Sequence, residues 1–186
     1  MLPIESLLQQ LQENANLSFE QARAMPKGVY THPEFLEQER EHIFKQEWIC
    51  VGRQDAAKNP GDYFTCELAG EPIVVIRDKE KQLRAFSNVC LHRLSTLKTG
   101  KGNCATLVCP YHGWAYNLTG KLIGAPQMQR SPDFNKQDYQ LPEVRLEIWQ
   151  GWVYLTLNKN AEPITDKLST LTDKISLYGM ESYTQT

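Results

Sequence analysis

Two short segments, each carrying one cysteine and one histidine, constrain this chain more than any other feature of its sequence. The first is Cys90-Leu91-His92, the second is Cys109-Pro110-Tyr111-His112, and sixteen residues lie between them. Each segment follows a predicted strand and adjoins turn-forming residues, so we expect both to be hairpin loops. Thiolate and imidazole are side chains that bind transition metals. The sequence therefore predicts a metal centre held by Cys90, His92, Cys109 and His112.

Two kinds of metal centre fit this ligand set. In a [2Fe–2S] centre with mixed ligands, two thiolates hold one iron and two neutral imidazoles hold the other. A loop that carries both ligand types can then reach both irons, and two such loops would clamp the cluster from opposite sides. A structural zinc ion also takes two Cys and two His. In such sites, however, one loop more often carries both Cys and another segment both His. The alternation of Cys and His favours iron and sulfide, with zinc as the alternative.

Strand and turn signals alternate about every ten residues through the middle of the chain, which is typical of a small antiparallel β-sandwich or barrel. We predict nine strands, at Trp48–Gly52, Tyr63–Leu68, Ile73–Asp78, Leu83–Ser87, Thr106–Cys109, Trp114–Asn117, Lys121–Gly124, Val144–Trp149 and Trp152–Leu157. Turn signals lie between them, including one from Thr99-Gly100 to Gly102-Asn103.

Helical patterns flank these strands on both sides. Ile4, Leu7, Leu8 and Leu11 have the i, i+3, i+4, i+7 spacing of one apolar helix face. After the last strand a second helical region is predicted, with Thr165 as N-cap and Gly179 as its end. We therefore divide the chain into a helical extension (1–45), a β domain that holds the metal centre (46–158), and a linker or helix (159–186).

The amino-acid composition indicates which classes of partner and which cellular compartment are expected. The 20 basic and 22 acidic residues nearly balance, which argues against nucleic acid or an anionic membrane as the main partner. The five cysteines are an odd set at irregular spacing, so free or metal-bound thiols are favoured over disulfides. No run approaches the roughly 20 apolar residues of a membrane span. We expect a cytoplasmic protein in which Cys50, Cys66 and Cys104 serve as small apolar side chains.

The ligand segments and their neighbours resemble a known family. Cys90-Leu91-His92-Arg93, followed by Cys109 to Trp114, resembles the Rieske motif of aromatic-ring-hydroxylating oxygenase α subunits. The similarity extends from about Pro26 to Asn158 and includes a hairpin at Gly120–Met128. It implies a mostly β, Rieske-type antiparallel sandwich or barrel, with the [2Fe–2S] cluster held by two hairpin loops and with N- and C-terminal helices.

The resemblance also implies a function. The domain would accept one electron at a time from a reductase or ferredoxin and pass it through His92 or His112 to a mononuclear iron. That iron usually lies in a neighbouring subunit of a homo-oligomer. It needs two His and a carboxylate, and no histidine follows His112. We therefore expect mononuclear Fe(II) only in a C-terminal catalytic domain outside this chain, and whether the chain alone is an enzyme stays open, as does its substrate.

Two alternatives to this oxygenase component remain. One is a free-standing Rieske ferredoxin-like electron carrier, and the other is a zinc-binding interaction domain. The oxygenase component is preferred because the resemblance extends well beyond the ligand loops into the helical N-terminal region.

The resemblance further assigns five residues to the surroundings of the cluster, namely Arg93, Tyr111, Gly113, Trp114 and Tyr116. Many family members have glycine where this chain has Leu94, which we expect to alter the loop backbone without removing a ligand. High-potential members carry a serine where this chain has Trp114, while Tyr116 keeps the position of their cluster-facing tyrosine. Fewer hydrogen bonds to sulfur imply a low potential, on the order of −150 mV.

Three basic residues, Arg93, Lys98 and Lys101, lie near the ligand segments in sequence. They are predicted either to attract an acidic electron donor or to form an ordinary solvated face.

Overall fold

The computed structural model, which describes residues 3–184, divides the chain into two units, Met1–Phe44 and Lys45–Thr186. The first is built from helices and turns, and the second contains the sheets. None of the helices among the described residues combines the length and the apolar character needed to cross a membrane.

The N-terminal unit is helical, as its apolar spacing predicts. Helix α1 spans Ile4–Ala15, and helix α2 spans Pro33–Glu39 and continues into a π-helical turn at Arg40–Phe44. Leu7 is the buried residue of α1 and packs on Gly28, where an added Cβ atom would come within 2.9 Å of the Leu7 side chain. Glycine at position 28 therefore permits this close packing within the unit.

Ten antiparallel strands within residues 3–184 form two sheets. In chain order they are β1 (Ile49–Arg53), β2 (Asp62–Leu68), β3 (Glu71–Arg77), β4 (Leu83–Ser87), β5 (Lys101–Asn103), β6 (Leu107–Val108), β7 (Ala115–Tyr116), β8 (Leu122–Gly124), β9 (Glu143–Trp149) and β10 (Trp152–Thr156). The larger sheet has the order β1-β10-β9-β4-β3-β2-β5, and the smaller has the order β6-β7-β8. Each strand pairs with its neighbours in antiparallel register.

Strand β3 is covered on both faces and connects two hydrophobic cores. The run Ile73–Ile76 is fully buried. Because successive side chains of a strand point to opposite faces, Val74 and Ile76 enter one core while the other two residues of the run enter a second core. The first core also contains Cys90 and Cys109. Strand β3 thus contributes to the same hydrophobic core as the two ligand cysteines.

The predicted mostly β antiparallel fold is confirmed. All nine predicted strands are present, with ends that differ from the prediction by at most two residues. The tenth, β5, lies where the sequence predicts a turn. Its residues Lys101-Gly102-Asn103 are poor strand formers, but β5 pairs with the edge of β2 and Gly102 lies against the Tyr63 ring, where a Cβ atom would be 2.9 Å from the phenolic oxygen. Tertiary pairing overrides local propensity here.

The C-terminal region is helical, as predicted, but in two short pieces. Helix α3 (Ile164–Lys167) and helix α4 (Ser169–Ile175) are separated at Leu168. The predicted N-cap at Thr165 is wrong, because the N-cap is Pro163. Helix α3 begins at Ile164, so Thr165 already lies within it. Gly179 ends the helical turn Ser176–Tyr178 that follows α4, in the left-handed conformation with φ 56°, but one more 3₁₀ turn follows it at Met180–Ser182.

Candidate metal centre

The two ligand loops share one backbone hydrogen-bond pattern. In each loop the cysteine N–H donates to the carbonyl five residues later, at 2.8 Å from Cys90 and 2.7 Å from Cys109. The residue four positions after each cysteine donates back to the cysteine carbonyl, at 3.0 Å from Leu94 and 3.1 Å from Gly113. Two closed turns of equal size therefore present the two cysteines in the same way.

The shared pattern requires a left-handed residue at the same place in both turns. That residue has φ 55° at Leu94 and φ 72° at Gly113. Glycine adopts this conformation freely, whereas another L-residue pays about 1–2 kcal/mol because its Cβ approaches the following carbonyl. The turn at Leu94 therefore keeps the hydrogen bonds of the turn at Gly113 but carries backbone strain, and this strain is the altered loop backbone that the sequence predicts.

Leu94→Gly is therefore expected to stabilise the protein by about 0.5–1 kcal/mol, since relief of the strain is partly offset by the larger unfolded-state entropy of glycine. The melting temperature of the protein should rise by about 2–3 °C. The reciprocal control, Gly113→Ala, should lower it, because the same φ then carries a Cβ. A lower melting temperature for Leu94→Gly would show that the left-handed turn is unstrained.

The two cysteine thiols lie side by side within the first core. Cys90 is 0% exposed and Cys109 is 3% exposed, and each affects the ionisation of the other. Burial raises the pKa of Cys90. Burial also acts to raise the pKa of Cys109, but hydrogen bonds from the backbone N–H groups of Tyr111 and His112, together with those of the Cys90 and Ser95 side chains, hold that pKa below its usual value. The second loop is thus preorganised for a thiolate.

Tyr116 on β7 links the two loops. Its phenolic oxygen lies 3.4 Å from Cys90 Sγ and accepts a hydrogen bond from the Leu91 N–H at 3.0 Å. Burial raises the pKa of Tyr116 well above its usual range, so the phenol keeps its proton. The hydroxyl can therefore donate to the sulfur.

The two imidazoles form a second pair. The rings of His92 and His112 meet edge to face, with centroids 4.9 Å apart. Nδ1 of His92 is buried and has no hydrogen-bond partner among the described residues. Desolvation lowers the pKa of His92, and the nearby charges of His112 and Arg93 act in the same direction. A neutral ring with an unused buried nitrogen has the state that a metal ligand requires.

Aromatic rings cover the imidazole pair on the protein side. Trp114 stacks parallel on His92, with centroids 4.8 Å apart and an interplanar angle of 5°. Phe134 and Tyr139 pack against the Trp114 indole in turn. His112 lies instead at the surface, where the exposed Tyr111 ring covers it with centroids 3.8 Å apart. The His92 imidazole is therefore half-buried with one face covered by Trp114, whereas the His112 imidazole is exposed.

The four side chains are arranged as a thiol pair and an imidazole pair. Within residues 3–184, no three His, Cys, Asp or Glu side chains surround a single point that could hold one metal ion. The pairs suit a centre with two metal atoms, each taking two protein ligands. The unused Nδ1 of His92 and the buried thiols thus fit a [2Fe–2S] cluster.

Comparison with known proteins identifies the domain. Residues 47–144 match the family described as the Rieske [2Fe-2S] domain. The chain is 38% identical to the carnitine monooxygenase oxygenase subunit of Escherichia coli K12 over 166 residues, covering 89% of this chain and 44% of that protein.

Two solved structures agree with this match. A quaternary ammonium Rieske monooxygenase superposes with a TM-score of 0.76 at 35% identity, covering 82% of this chain and 42% of that one. Naphthalene 1,2-dioxygenase superposes with a TM-score of 0.71 at 32% identity, covering 75% and 32% of the two chains.

The chain belongs to the Rieske [2Fe–2S] domain family. Its homologues are more specifically the oxygenase α subunits of Rieske oxygenases, and the chain spans less than half the length of the relatives described above.

The structure places Tyr111, Trp114 and Tyr116 in contact with the ligand loops, as the sequence analysis expects, and adds other residues. Arg93 lies at the exposed surface, while Gly113 supplies the left-handed turn and Trp114 the stack on His92. Phe134 and Tyr139 were not anticipated, because they come from a segment of turns about twenty residues beyond the second loop. Their aromatic character was the only signal in the sequence.

Proposed function

We propose that Cys90 and Cys109 hold one iron of a Rieske [2Fe–2S] cluster and that His92 and His112 hold the other. The division of the four side chains into a thiol pair and an imidazole pair is the observation that carries this proposal. When bound, the cluster supplies reversible one-electron transfer.

Three residues around the cluster would then have separate roles. Trp114 shields the His92 side from water, and Tyr116 stabilises the Cys90 sulfur by a hydrogen bond. The exposed His112 provides the edge through which an electron enters or leaves.

Within a complete oxygenase, we propose that the domain takes electrons from a reductase or ferredoxin and delivers them to a mononuclear Fe(II) in a catalytic domain. The similar quaternary ammonium monooxygenase is described with inter-subunit electron transfer, which supports delivery to a neighbouring subunit of a homo-oligomer. The carnitine and quaternary ammonium relatives favour a quaternary ammonium compound as the substrate of the whole protein. A cytoplasmic location and the boundaries 1–45, 46–158 and 159–186 stay predictions.

The metal content of protein purified without oxygen tests the proposal. We expect two irons and two acid-labile sulfides per chain, and a paramagnetic signal after reduction with dithionite. A colourless protein with one zinc and no sulfide would establish the zinc-binding alternative. Electron transfer from the reduced protein to a separate, soluble acceptor protein, in the absence of any catalytic domain, would instead support the free-standing carrier.

Tyr116→Phe is expected to lower the reduction potential by about 50 mV, which corresponds to about 1 kcal/mol for one electron. The phenol proton stabilises negative charge on the Cys90 sulfur, and that charge increases on reduction. Spectroscopic redox titration measures the shift. Tyr139→Phe is the control, because the Tyr139 ring packs on Trp114, whereas the hydroxyl beside Cys90 Sγ is that of Tyr116. Equal potentials for wild type and Tyr116→Phe would contradict the assigned hydrogen bond.

A further inference from the structure

Asn88 lies where the chain leaves strand β4 and enters the first ligand loop. It is 2% exposed, and each of its four hydrogen-bonding atoms has a partner. Its main-chain N–H donates to the Pro72 carbonyl of β3 at 2.8 Å, and its main-chain carbonyl accepts from the Leu97 N–H at 3.0 Å. Its side-chain amide donates to the Lys98 carbonyl at 2.8 Å and accepts from the Lys98 N–H at 3.0 Å. Asn88 therefore connects the larger sheet to the far end of the loop.

The two ligand loops are closed at their base by different means. In the second loop, strands β6 and β7 pair at two successive positions that begin directly before Cys109. In the first loop the corresponding pairing is one isolated bridge, Val89 with Thr96, and the described residues 88–98 form no strand. The main-chain N–H of Asn88 is committed to β3, so it cannot donate to the returning segment of the loop. The side-chain amide, which carries the same donor and acceptor as a peptide group, makes these bonds instead.

Two contacts between the loops depend on the position of the first loop. The Tyr116 hydroxyl lies 3.4 Å from Cys90 Sγ and accepts a hydrogen bond from the Leu91 N–H at 3.0 Å. Tyr116 belongs to β7 and therefore moves with the second loop, whereas Cys90 and Leu91 belong to the first. A shift of the first loop would thus weaken the hydrogen bond to the Cys90 sulfur and change the spacing between the ligands of the two loops.

We propose that Asn88 is a positioning residue for the metal centre, whose buried amide holds the first ligand loop in register with the second. It acts through the main chain of Lys98 and is not itself a ligand. Without the amide, the N–H and carbonyl of Lys98 lose their partners, and the peptide groups turn toward water to regain hydrogen bonds. The inference rests on the proposed function, because it concerns how this chain retains and tunes the proposed cluster.

Asn88→Leu tests this role by removing both hydrogen bonds to Lys98 while keeping the size of the side chain. Leucine is also the residue that the second loop carries at the corresponding position, Leu107. Iron should pass from the anaerobically purified variant to a chelator about tenfold faster than from wild type, as for loss of a residue that supports a metal ligand. Asp78→Ala is the matched control. It also removes a buried side chain with two hydrogen bonds, but in the β3–β4 turn, and should release iron at the wild-type rate.

The reduction potential is a second readout, which a loss of stability alone does not change. Tyr116→Phe is expected to lower the potential by removing the hydroxyl beside Cys90 Sγ. If Asn88 holds the first loop against that hydroxyl, Asn88→Leu should lower the potential as well. In the Asn88→Leu background, Tyr116→Phe should then lower the potential by less than about half of its effect in wild type, because the two changes remove the same contact. In the Asp78→Ala background the full effect of Tyr116→Phe should remain.

Equal rates of iron release from wild type and Asn88→Leu would overturn the proposal, as would equally fast release from Asn88→Leu and Asp78→Ala, or additive effects of Asn88→Leu and Tyr116→Phe on the potential. If Asn88→Leu does not fold, hydrogen exchange of cluster-loaded wild type decides. The Lys98 N–H should then be protected at least about a hundredfold relative to an unfolded chain, and rapid exchange there would overturn the proposal. Wild-type protein without iron and sulfide would contradict the proposed function itself, and metal analysis distinguishes that failure from the others.

Discussion

Cys109→Ser is expected to abolish stable binding of the iron–sulfur cluster. Cys109 is buried, and the backbone N–H groups of Tyr111 and His112 point to its sulfur. Serine keeps the size of the side chain but its alcohol does not ionise at neutral pH, so one iron loses a ligand. Loss of a hydrogen-bond partner of a metal ligand already costs about 10–100-fold in affinity. Loss of the ligand itself should cost more than about 100-fold.

Iron and sulfide analysis of the purified variant measures this loss. Cys50→Ser is the control, because Cys50 lies exposed on β1 and outside the first core. Cys66 also differs from Cys109, since burial raises the pKa of Cys66 to about 11, whereas the pKa of Cys109 is lowered. Full iron content in Cys109→Ser, or loss of iron in Cys50→Ser, would contradict the assignment.

Asp78→Ala is expected to lower the free energy of unfolding by about 3 kcal/mol. The Asp78 side chain is 0% exposed and accepts hydrogen bonds from Arg84 Nε at 2.7 Å and from the Gln82 N–H at 2.7 Å. Removing one partner of a buried ion pair costs about 3–5 kcal/mol. The lower end applies because the Arg84 side chain is 34% exposed and can be solvated.

Denaturant unfolding of the variant measures this cost, under the same cluster loading as wild type. Glu80→Ala, an exposed carboxylate in the same β3–β4 turn, should change stability by less than about 0.5 kcal/mol. Equal stabilities of Asp78→Ala and Glu80→Ala would mean that the buried ion pair contributes nothing to this hairpin.

Most of the fold could be predicted because its strands carry local signals. The alternation of apolar residues and the turn residues between strands located nine strands to within two residues of their observed ends. Strand β5 has no such signal, since Lys101-Gly102-Asn103 extends only because β2 offers an edge to pair with. The break at Leu168 in the C-terminal helices likewise depends on packing, as Ile164 and Leu168 join a core with Trp149.

The candidate site could be predicted in its ligands but not in its geometry. The two Cys and His segments signal a metal centre through residue type and spacing alone. The equal hydrogen-bond pattern of the two turns was not visible, because one turn places its histidine two residues after the cysteine and the other three. The stack of Trp114 on His92 joins residues from different loops, so only the tertiary structure reveals it.

The most direct test of the account is the nitrogen coupling of the reduced protein, measured by electron–nuclear double resonance. We predict two nitrogen couplings in dithionite-reduced wild type, one from each of His92 and His112. His112→Cys should retain one coupling and show a lower potential, because thiolate adds negative charge to that iron. A reduced paramagnetic protein without any nitrogen coupling would contradict the pairing of the imidazoles on one iron.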